Sequence, residues 1–189
     1  MIRAFLAIDL PCGLRPLMER VMAELKKCDA EVRWVPVGNV HLTLKFFGEV
    51  SEVQVEEITR AALPIARSQP PFRLQLAGAG AFPSPRSPRV VWVGVTGELG
   101  PLAALQRQLE AAFEGLGFPR EDRPFAPHLT VGRVKSSRGR DGLVRCLAGL
   151  PPFESEPFEV REIVLYRSKL SPQGATYLPL RVIPLGGGA

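Results

Sequence analysis

The chain repeats one tetrapeptide pattern, His41-Leu42-Thr43-Leu44 and His128-Leu129-Thr130-Val131. In a β-strand, successive side chains point to opposite faces, so the histidine and threonine of each copy share one face while the apolar second and fourth residues enter the core. Two residues of strand rise separate the imidazole from the hydroxyl by roughly 6.6 Å. Each copy therefore predicts a strand that presents one imidazole and one hydroxyl side by side.

The duplication predicts two lobes related by an approximate twofold axis, although the rest of the two halves is not visibly similar in sequence. Each lobe would offer its His-x-Thr strand to one shared groove, which brings the histidines together from opposite sides. The length of 189 residues suits one compact domain. We therefore expect a single bilobal domain over residues 1–189.

Hydrophobic periodicity predicts interleaved strands and helices. Strands are predicted at 2–8, 32–34, 40–47, 72–76, 90–95, 128–134, 158–166 and 177–183, and helices at 14–25, from 51 onward, at 99–116 and at 142–150. Pro64 should kink or end the second helix, and residues 186–189 should form a disordered tail. The many prolines and hairpin-like connections favour antiparallel pairing, so the predicted fold class is α+β.

Composition excludes several kinds of site. With two histidines and three cysteines, Cys12, Cys28 and Cys146, the chain has no CxxC, Cys/His finger or HExxH pattern, and it lacks GxGxxG and P-loop motifs. No run of about eighteen apolar residues predicts a membrane span, and the amino terminus does not resemble a signal peptide. Unpaired cysteines favour a reducing compartment, so we expect a cytoplasmic protein. The net charge of +5 favours an anionic partner.

Two facing imidazoles with two hydroxyls suit in-line displacement at phosphorus. Histidine has an ordinary pKa near 6.5, so one site can hold a neutral base and a protonated acid at neutral pH. One group would take a proton from the attacking water, and the other would protonate the departing oxygen. The threonines can donate hydrogen bonds to the nonbridging oxygens. This chemistry needs no metal, and covalent catalysis is the weaker interpretation because the chain has no GxSxG motif.

Several stretches around the motifs match a known family: FLAIDLP, RWVPVGNVHLTLKFFGEV, FPSPRSPRVVWVGV, PFAPHLTVGR and LYRSKLSPQGATY. In these the chain resembles the two-histidine (2H) phosphoesterases, and among them the bacterial and archaeal RNA 2′,3′-cyclic phosphodiesterases, formerly called 2′-5′ RNA ligases. The resemblance runs from about residue 5 to about residue 180. It implies a bilobal α+β fold, with two antiparallel sheets lining a central cleft, helices outside and no cofactor.

The resemblance also implies a reaction, the opening of a terminal RNA 2′,3′-cyclic phosphate to a 2′-phosphate. His41 matches the proton donor to the leaving 3′ oxygen, and His128 matches the proton acceptor that activates water. Thr43 and Thr130 match hydroxyls that hold the phosphate, and Arg133 matches an arginine that can reach it. Strict alternation would turn Arg133 away from the histidine five residues before it, so Gly132 is a candidate bulge that turns it inward.

Other residues are candidates for substrate contact. Lys45 shares the His41 face by parity and could help a polyanion settle, although a solvated lysine at a strand end is an equal alternative. Phe5, Phe46 and Phe125 could stack a nucleobase, although a core position is the stronger alternative for each; only Phe5 lies in a stretch that borders the cleft in the family. Tyr166, Arg167 and Ser168, in LYRSKL, could close the groove, with no role assigned to any one of them.

Alternative functions remain open from the sequence. A ligase would run the same acid and base backwards and join a cyclic phosphate end to a 5′-hydroxyl. A noncatalytic module would bind RNA ends without turnover. The expected partners are RNA with a 2′,3′-cyclic phosphate terminus or small cyclic nucleotides, with no membrane, and we expect a monomer.

Overall fold

The computed structural model describes residues 1–186. Its strands are β1 (Ile2–Asp9), β2 (Val32–Trp34), β3 (His41–Val50), β4 (Phe72–Ser84), β5 (Ser87–Gly97), β6 (His128–Val134), β7 (Phe158–Val160), β8 (Glu162–Ser171) and β9 (Gly174–Pro184). Its helices are α1 (Arg15–Lys26), α2 (Glu52–Ser68), α3 (Leu99–Gly115) and α4 (Arg140–Gly149), with short 3-10 turns at Cys12–Leu14 and Val37–Asn39.

The strands form one sheet, in the order β7-β4-β5-β6-β3-β1-β8-β9, with β2 added beside β6. The named strands pair antiparallel, which confirms the α+β class. The prediction of two separate sheets needs correction, because β3 and β6 meet through the pair Leu42 and Leu129 and so join the two halves.

Apart from β2, each half of the sheet holds four strands, counted outward from its His-x-Thr strand: β3-β1-β8-β9 on one side and β6-β5-β4-β7 on the other. The chain order β1-α1-β3-α2 repeats as β5-α3-β6-α4. Leu42 and Leu129 occupy the same position of their motifs, and two equivalent residues that pair antiparallel define a local twofold axis. Under this axis the helix pair α1 with α4 corresponds to the pair α3 with α2, and both pairs are in contact.

The helices cover one face of the sheet and leave the motif histidines on the other. Leu42, Leu129 and Val131 are buried with the apolar sides of the helices in one core. Helix α2 begins at the capping box that Ser51 and Gln54 form, each side chain bonding the other's backbone N–H. The sheet is thus held rigidly from behind while its open face carries the polar motif residues.

Pro64 does not end α2, one of the two outcomes expected from the sequence, since the helix continues to Ser68. Pro64 lies on the exposed side, where water can satisfy the carbonyl that loses its partner. Ala62 and Ala66 are buried on either side of it and hold both parts of the helix on the core.

The prediction that the disordered tail begins at residue 186 is wrong for that residue. Gly186 donates its backbone N–H to Ala66 O at 2.8 Å, so this residue is fixed against α2. Residues 187–189 lie outside the described part of the chain. Among residues 1–186, no helix is long and apolar enough to cross a membrane.

Candidate active site

The two motif histidines are held in the same way. His41 donates its Nδ1–H to Asn39 O at 2.8 Å, and His128 donates its Nδ1–H to Ala126 O at 2.7 Å. A carbonyl can only accept, so each bond fixes the proton on Nδ1 and leaves Nε2 for the groove. Both imidazoles therefore present the same nitrogen, which can act as a base when neutral and as an acid when protonated.

The central strand pair brings the four motif side chains together. With Leu42 opposite Leu129, antiparallel register places His41 across from Thr130 and His128 across from Thr43. All four side chains are half-buried on the face opposite the two leucines. The four motif side chains therefore lie around the pair Leu42 and Leu129, where the two strands meet.

A β-bulge lies at the fourth residue of each motif. In β6, Trp92 pairs with Thr130 and Val91 with Gly132, so Val131 is the extra residue. In β3, Ala7 pairs with Thr43 and the preceding residue of β1 with Lys45, so Leu44 is the extra residue. After each bulge the alternation is reversed.

The bulge in β6 turns Arg133 to the groove side, in agreement with the bulge predicted at Gly132. Arg133 is exposed, and its charge acts on the Tyr177 hydroxyl beside His41. Glycine is required at 132, because a Cβ there would stand 2.7 Å from Val32 Cγ1 and 2.8 Å from Trp34 Cε3. The close approach of β2 therefore explains why residue 132 is a glycine.

Lys45 does not face the groove, and the prediction that it shares the His41 face is wrong. The bulge at Leu44 turns it into the core, where it is 5% exposed. Its ammonium donates to the Glu110 carboxylate and to Pro119 O, the latter at 2.6 Å. Lys45 thus ties β3 to α3 and to the loop before β6, and it is not available to substrate.

Phe46 occupies the groove-facing position that strict alternation of side chains predicts for Lys45. It lies five residues after His41, as Arg133 lies five residues after His128, and 57% of it is exposed. The pseudo-twofold axis therefore places a phenylalanine at one end of the groove and an arginine at the other.

Phe5 is buried, at 3% exposure, so it is not an open platform for a base. Its ring stacks on His41 with centroids 4.7 Å apart and on Tyr166 at 5.3 Å, and Tyr177 meets it edge-on at 4.9 Å. Phe5 therefore packs against the face of the His41 ring and restricts its orientation. Phe125 packs against the core.

A small cavity of about 90 Å³ lies against His41, lined by Asp9, Asn39, Tyr166, Tyr177 and two backbone neighbours. Tyr166 donates its hydroxyl to the Asp9 carboxylate, and Tyr177 lies edge-on to His41 with centroids 5.3 Å apart. Sequence reasoning did not single out Asp9, Asn39 or Tyr177. All three do fall in stretches that carry the family resemblance: Asp9 in FLAIDLP, Asn39 in RWVPVGNVHLTLKFFGEV and Tyr177 in LYRSKLSPQGATY.

Two opposing influences set the pKa of His41. Burial against Phe5 and its neighbours lowers it below the usual range, while the bond to Asn39 O and the nearby Asp9 carboxylate raise it. Burial also raises the pKa of the Tyr177 hydroxyl, and the charges of Arg133 and Arg3 lower it. The charges of both arginines therefore act on the same hydroxyl group.

Comparison with known proteins agrees with this geometry. The family model of the 2′-5′ RNA ligase superfamily matches residues 10–171, which include both His-x-Thr strands. The chain belongs to this superfamily. An RNA 2′,3′-cyclic phosphodiesterase from Methanothermobacter thermautotrophicus is 43% identical over 184 residues, which cover 97% of this chain and 99% of the relative. Another from Aeropyrum pernix is 41% identical, covering 86% and 92%.

Solved structures extend the likeness of this 2′-5′ RNA ligase superfamily member to the whole fold. The crystal structure of TT0787 from Thermus thermophilus superposes with a TM-score of 0.82 at 31% identity and covers all of both chains. Escherichia coli LigT, solved with 3′-AMP, gives a TM-score of 0.76 at 31% identity, covering 97% of this chain and 98% of that one. Both halves of the sheet are therefore shared with these superfamily structures.

Proposed function

We propose that this protein hydrolyses the 2′,3′-cyclic phosphate at the 3′ end of RNA and leaves a 2′-phosphate. The observation that carries the proposal is the pair Leu42 and Leu129, which joins the two His-x-Thr strands at equivalent residues and supports one shared site for the two imidazoles and two hydroxyls on the open face. Relatives that match almost the whole chain are named RNA 2′,3′-cyclic phosphodiesterases, and the superfamily member LigT has been solved with a nucleotide, 3′-AMP.

The proposed reaction moves one proton in and one proton out. His128 Nε2 takes a proton from water as the water oxygen attacks phosphorus. The bond from phosphorus to the 3′ oxygen breaks in line, and His41 Nε2 gives its proton to that oxygen. The products are a 2′-phosphate monoester and a free 3′-hydroxyl, and the two histidines exchange protonation states, which solvent then restores.

The remaining groove residues bind charge. Thr43 and Thr130 donate hydrogen bonds to the nonbridging oxygens, where negative charge grows in the transition state. Arg133 neutralises the phosphate from the end of β6. Arg33 is its partner across β2 and β6, and Arg3 is exposed on β1. These arginines give the groove the positive potential that an RNA strand requires.

The direct test uses a short RNA that ends in a 2′,3′-cyclic phosphate. We expect conversion to the 2′-phosphate, identified by ³¹P NMR against authentic 2′- and 3′-phosphate standards, at the same rate with and without EDTA. A 3′-phosphate product or loss of turnover in EDTA would contradict the mechanism.

The same assay with an added 5′-hydroxyl RNA separates the alternatives. A dominant 2′-5′ linked product would identify a ligase. Salt-sensitive binding of the cyclic end with no product would identify an RNA-end binding module. A matched panel of 2′,3′-cyclic mononucleotides tests whether small cyclic nucleotides are also substrates.

Asp9→Asn should shift the pH dependence of the reaction. Removing the carboxylate lowers the pKa of His41 further, because Asp9 is one of the groups that raise it. Less His41 is then protonated at pH 7, so we expect kcat/KM at that pH to fall by about two- to tenfold and the alkaline limb of the pH profile to move to lower pH.

Tyr166→Phe is the matched control for this prediction, because it removes the hydroxyl bonded to Asp9 but keeps the carboxylate. The control should keep its alkaline limb in place. An Asp9→Asn profile that superposes on the parent profile would show that Asp9 does not tune the acid.

Phe46→Ala should weaken substrate binding more than it slows chemistry. The exposed ring stands at the end of the groove opposite Arg133, where it can stack a base of single-stranded RNA, a contact worth about 1–3 kcal/mol. We expect KM for a cyclic-phosphate RNA to rise by roughly 5- to 150-fold with kcat little changed. Phe46→Tyr should restore KM, and a selective fall in kcat would contradict a stacking role.

The proposed reaction needs one chain, since both histidines, both threonines and Arg133 come from the same chain. We propose a monomer, to be checked by sedimentation.

Cys12, Cys28 and Cys146 are free thiols, which suits the cytoplasm proposed for this activity. Cell fractionation checks this location.

A further inference from the structure

Two of the three cysteines meet on the helix-covered side of the sheet. Cys28 follows the end of α1, and Cys146 lies on α4, whose Leu143 and Leu147 enter the core. Both cysteines are half-buried and line one open cavity of about 500 Å³. Cys12, by contrast, is exposed near the amino end of α1.

The backbone holds the two segments against each other. Glu31 donates its N–H to Arg138 O at 3.2 Å, and Lys135 donates its N–H to Glu31 O at 2.8 Å. Gly139 packs so closely that a Cβ there would lie 2.2 Å from Asp29 O. The chain after α1 is therefore fixed against the start of α4, and the two cysteines are not brought together by loose ends.

The side chains are close enough to interact. Cys28 Cβ lies 3.8 Å from the point where a Cβ on Gly142 would stand, and Cys146 is one helical turn after Gly142 on the same face of α4. Burial raises the pKa of the Cys28 thiol, and the neighbouring Cys146 thiol raises it further. Cys28 Sγ also donates to Leu25 O at 2.7 Å.

We propose that Cys28 and Cys146 form a site of reversible oxidation that closes to an intramolecular disulfide between α1 and α4. The oxidant is a small disulfide such as glutathione disulfide, which the open cavity admits. One cysteine thiolate attacks a sulfur of the oxidant and releases one thiol; the second thiolate attacks the mixed disulfide and releases the other. Two protein thiols are oxidised, and one small disulfide is reduced to two thiols.

The cavity gives a small disulfide access to both thiols, and its wall carries charged side chains of both signs, Lys27, Arg145, Glu24 and Asp29. The bond would close a loop of roughly 120 residues, so it should stabilise the fold by restricting the unfolded chain. His41 and His128 lie on the opposite face of the sheet, so we expect oxidation to leave hydrolysis unchanged.

The experiment starts from Cys12→Ser, which removes the exposed thiol and with it disulfide dimers. Treatment with glutathione disulfide should lower the intact mass by about 2 Da, consume both remaining thiols and be reversed by dithiothreitol. The thermal midpoint of the oxidised protein should rise by about 5 °C or more. In a Cys12→Ser, Cys146→Ser variant, Cys28 should instead keep a single glutathione adduct.

Peptide mapping of the unsubstituted chain provides a second measurement that does not depend on a variant folding. The chain is treated with glutathione disulfide and alkylated without reduction. The mapping should recover the peptide with Cys28 linked to the peptide with Cys146. The proposal is overturned if Cys12→Ser keeps two free thiols, carries only glutathione adducts, or forms only dimers. A lower thermal midpoint after oxidation would also overturn the proposal, because it would show that the disulfide strains the fold.

Discussion

His41→Ala and His128→Ala should each lower kcat/KM for a cyclic-phosphate RNA by about 10²- to 10⁴-fold, because each removes one proton-transfer group. The two losses should be of similar size, since both imidazoles present Nε2 to the same groove and are fixed by the same kind of bond to a carbonyl. The measurement is kcat/KM over a range of pH.

The pH profile distinguishes the two roles. A base works when it is neutral, so activity rises with pH through its pKa, and an acid works when it is protonated, so activity falls with pH through its pKa. The residual activity of His128→Ala should lose the acidic limb, and that of His41→Ala should lose the alkaline limb. Circular dichroism and thermal midpoints control for folding, and near-normal turnover by either variant would remove the two-histidine mechanism.

Lys45→Met should destabilise the protein by about 3–5 kcal/mol, because it leaves the buried Glu110 carboxylate without its cation. The side chains of the pair are only 4% and 8% exposed, and Gln106 supplies one further bond to Glu110, at 3.1 Å. Urea unfolding followed by circular dichroism measures the free energy of unfolding.

The double variant Lys45→Met, Glu110→Gln is the matched control. It removes both charges, so its unfolding free energy should lie closer to that of the parent than that of Lys45→Met does. A single variant within about 1 kcal/mol of the parent would show that the buried pair contributes little.

The sequence was most informative where one strand face is apolar and the other polar. The two His-x-Thr strands were predicted at His41 and His128, and the repeated order of elements follows from them. Register between strands could not be predicted, because it depends on which residues pair across the sheet. The pair Leu42 and Leu129, which sets the geometry of the groove, has no local signal in either strand.

The two bulges show why one side-chain direction could be predicted and the other could not. Both occur at the fourth motif residue, yet only β6 carries a glycine directly after it, at 132, where β2 approaches closely. The equivalent residue in β3 is Lys45, a residue that parity alone would send to solvent. Its buried partner, Glu110, is 65 residues away in α3, and long-range ion pairs of this kind leave no periodic pattern.

The local axis through Leu42 and Leu129 has a consequence for the direction of the reaction. Exchange of the two halves maps each motif imidazole onto the other, so these four side chains alone do not favour attack from one end over attack from the other. Direction has to come from residues that differ between the ends: Phe46 against Arg133, and Asp9 beside His41. How an asymmetric nucleotide is seated between them therefore decides which histidine gives a proton and which one accepts it.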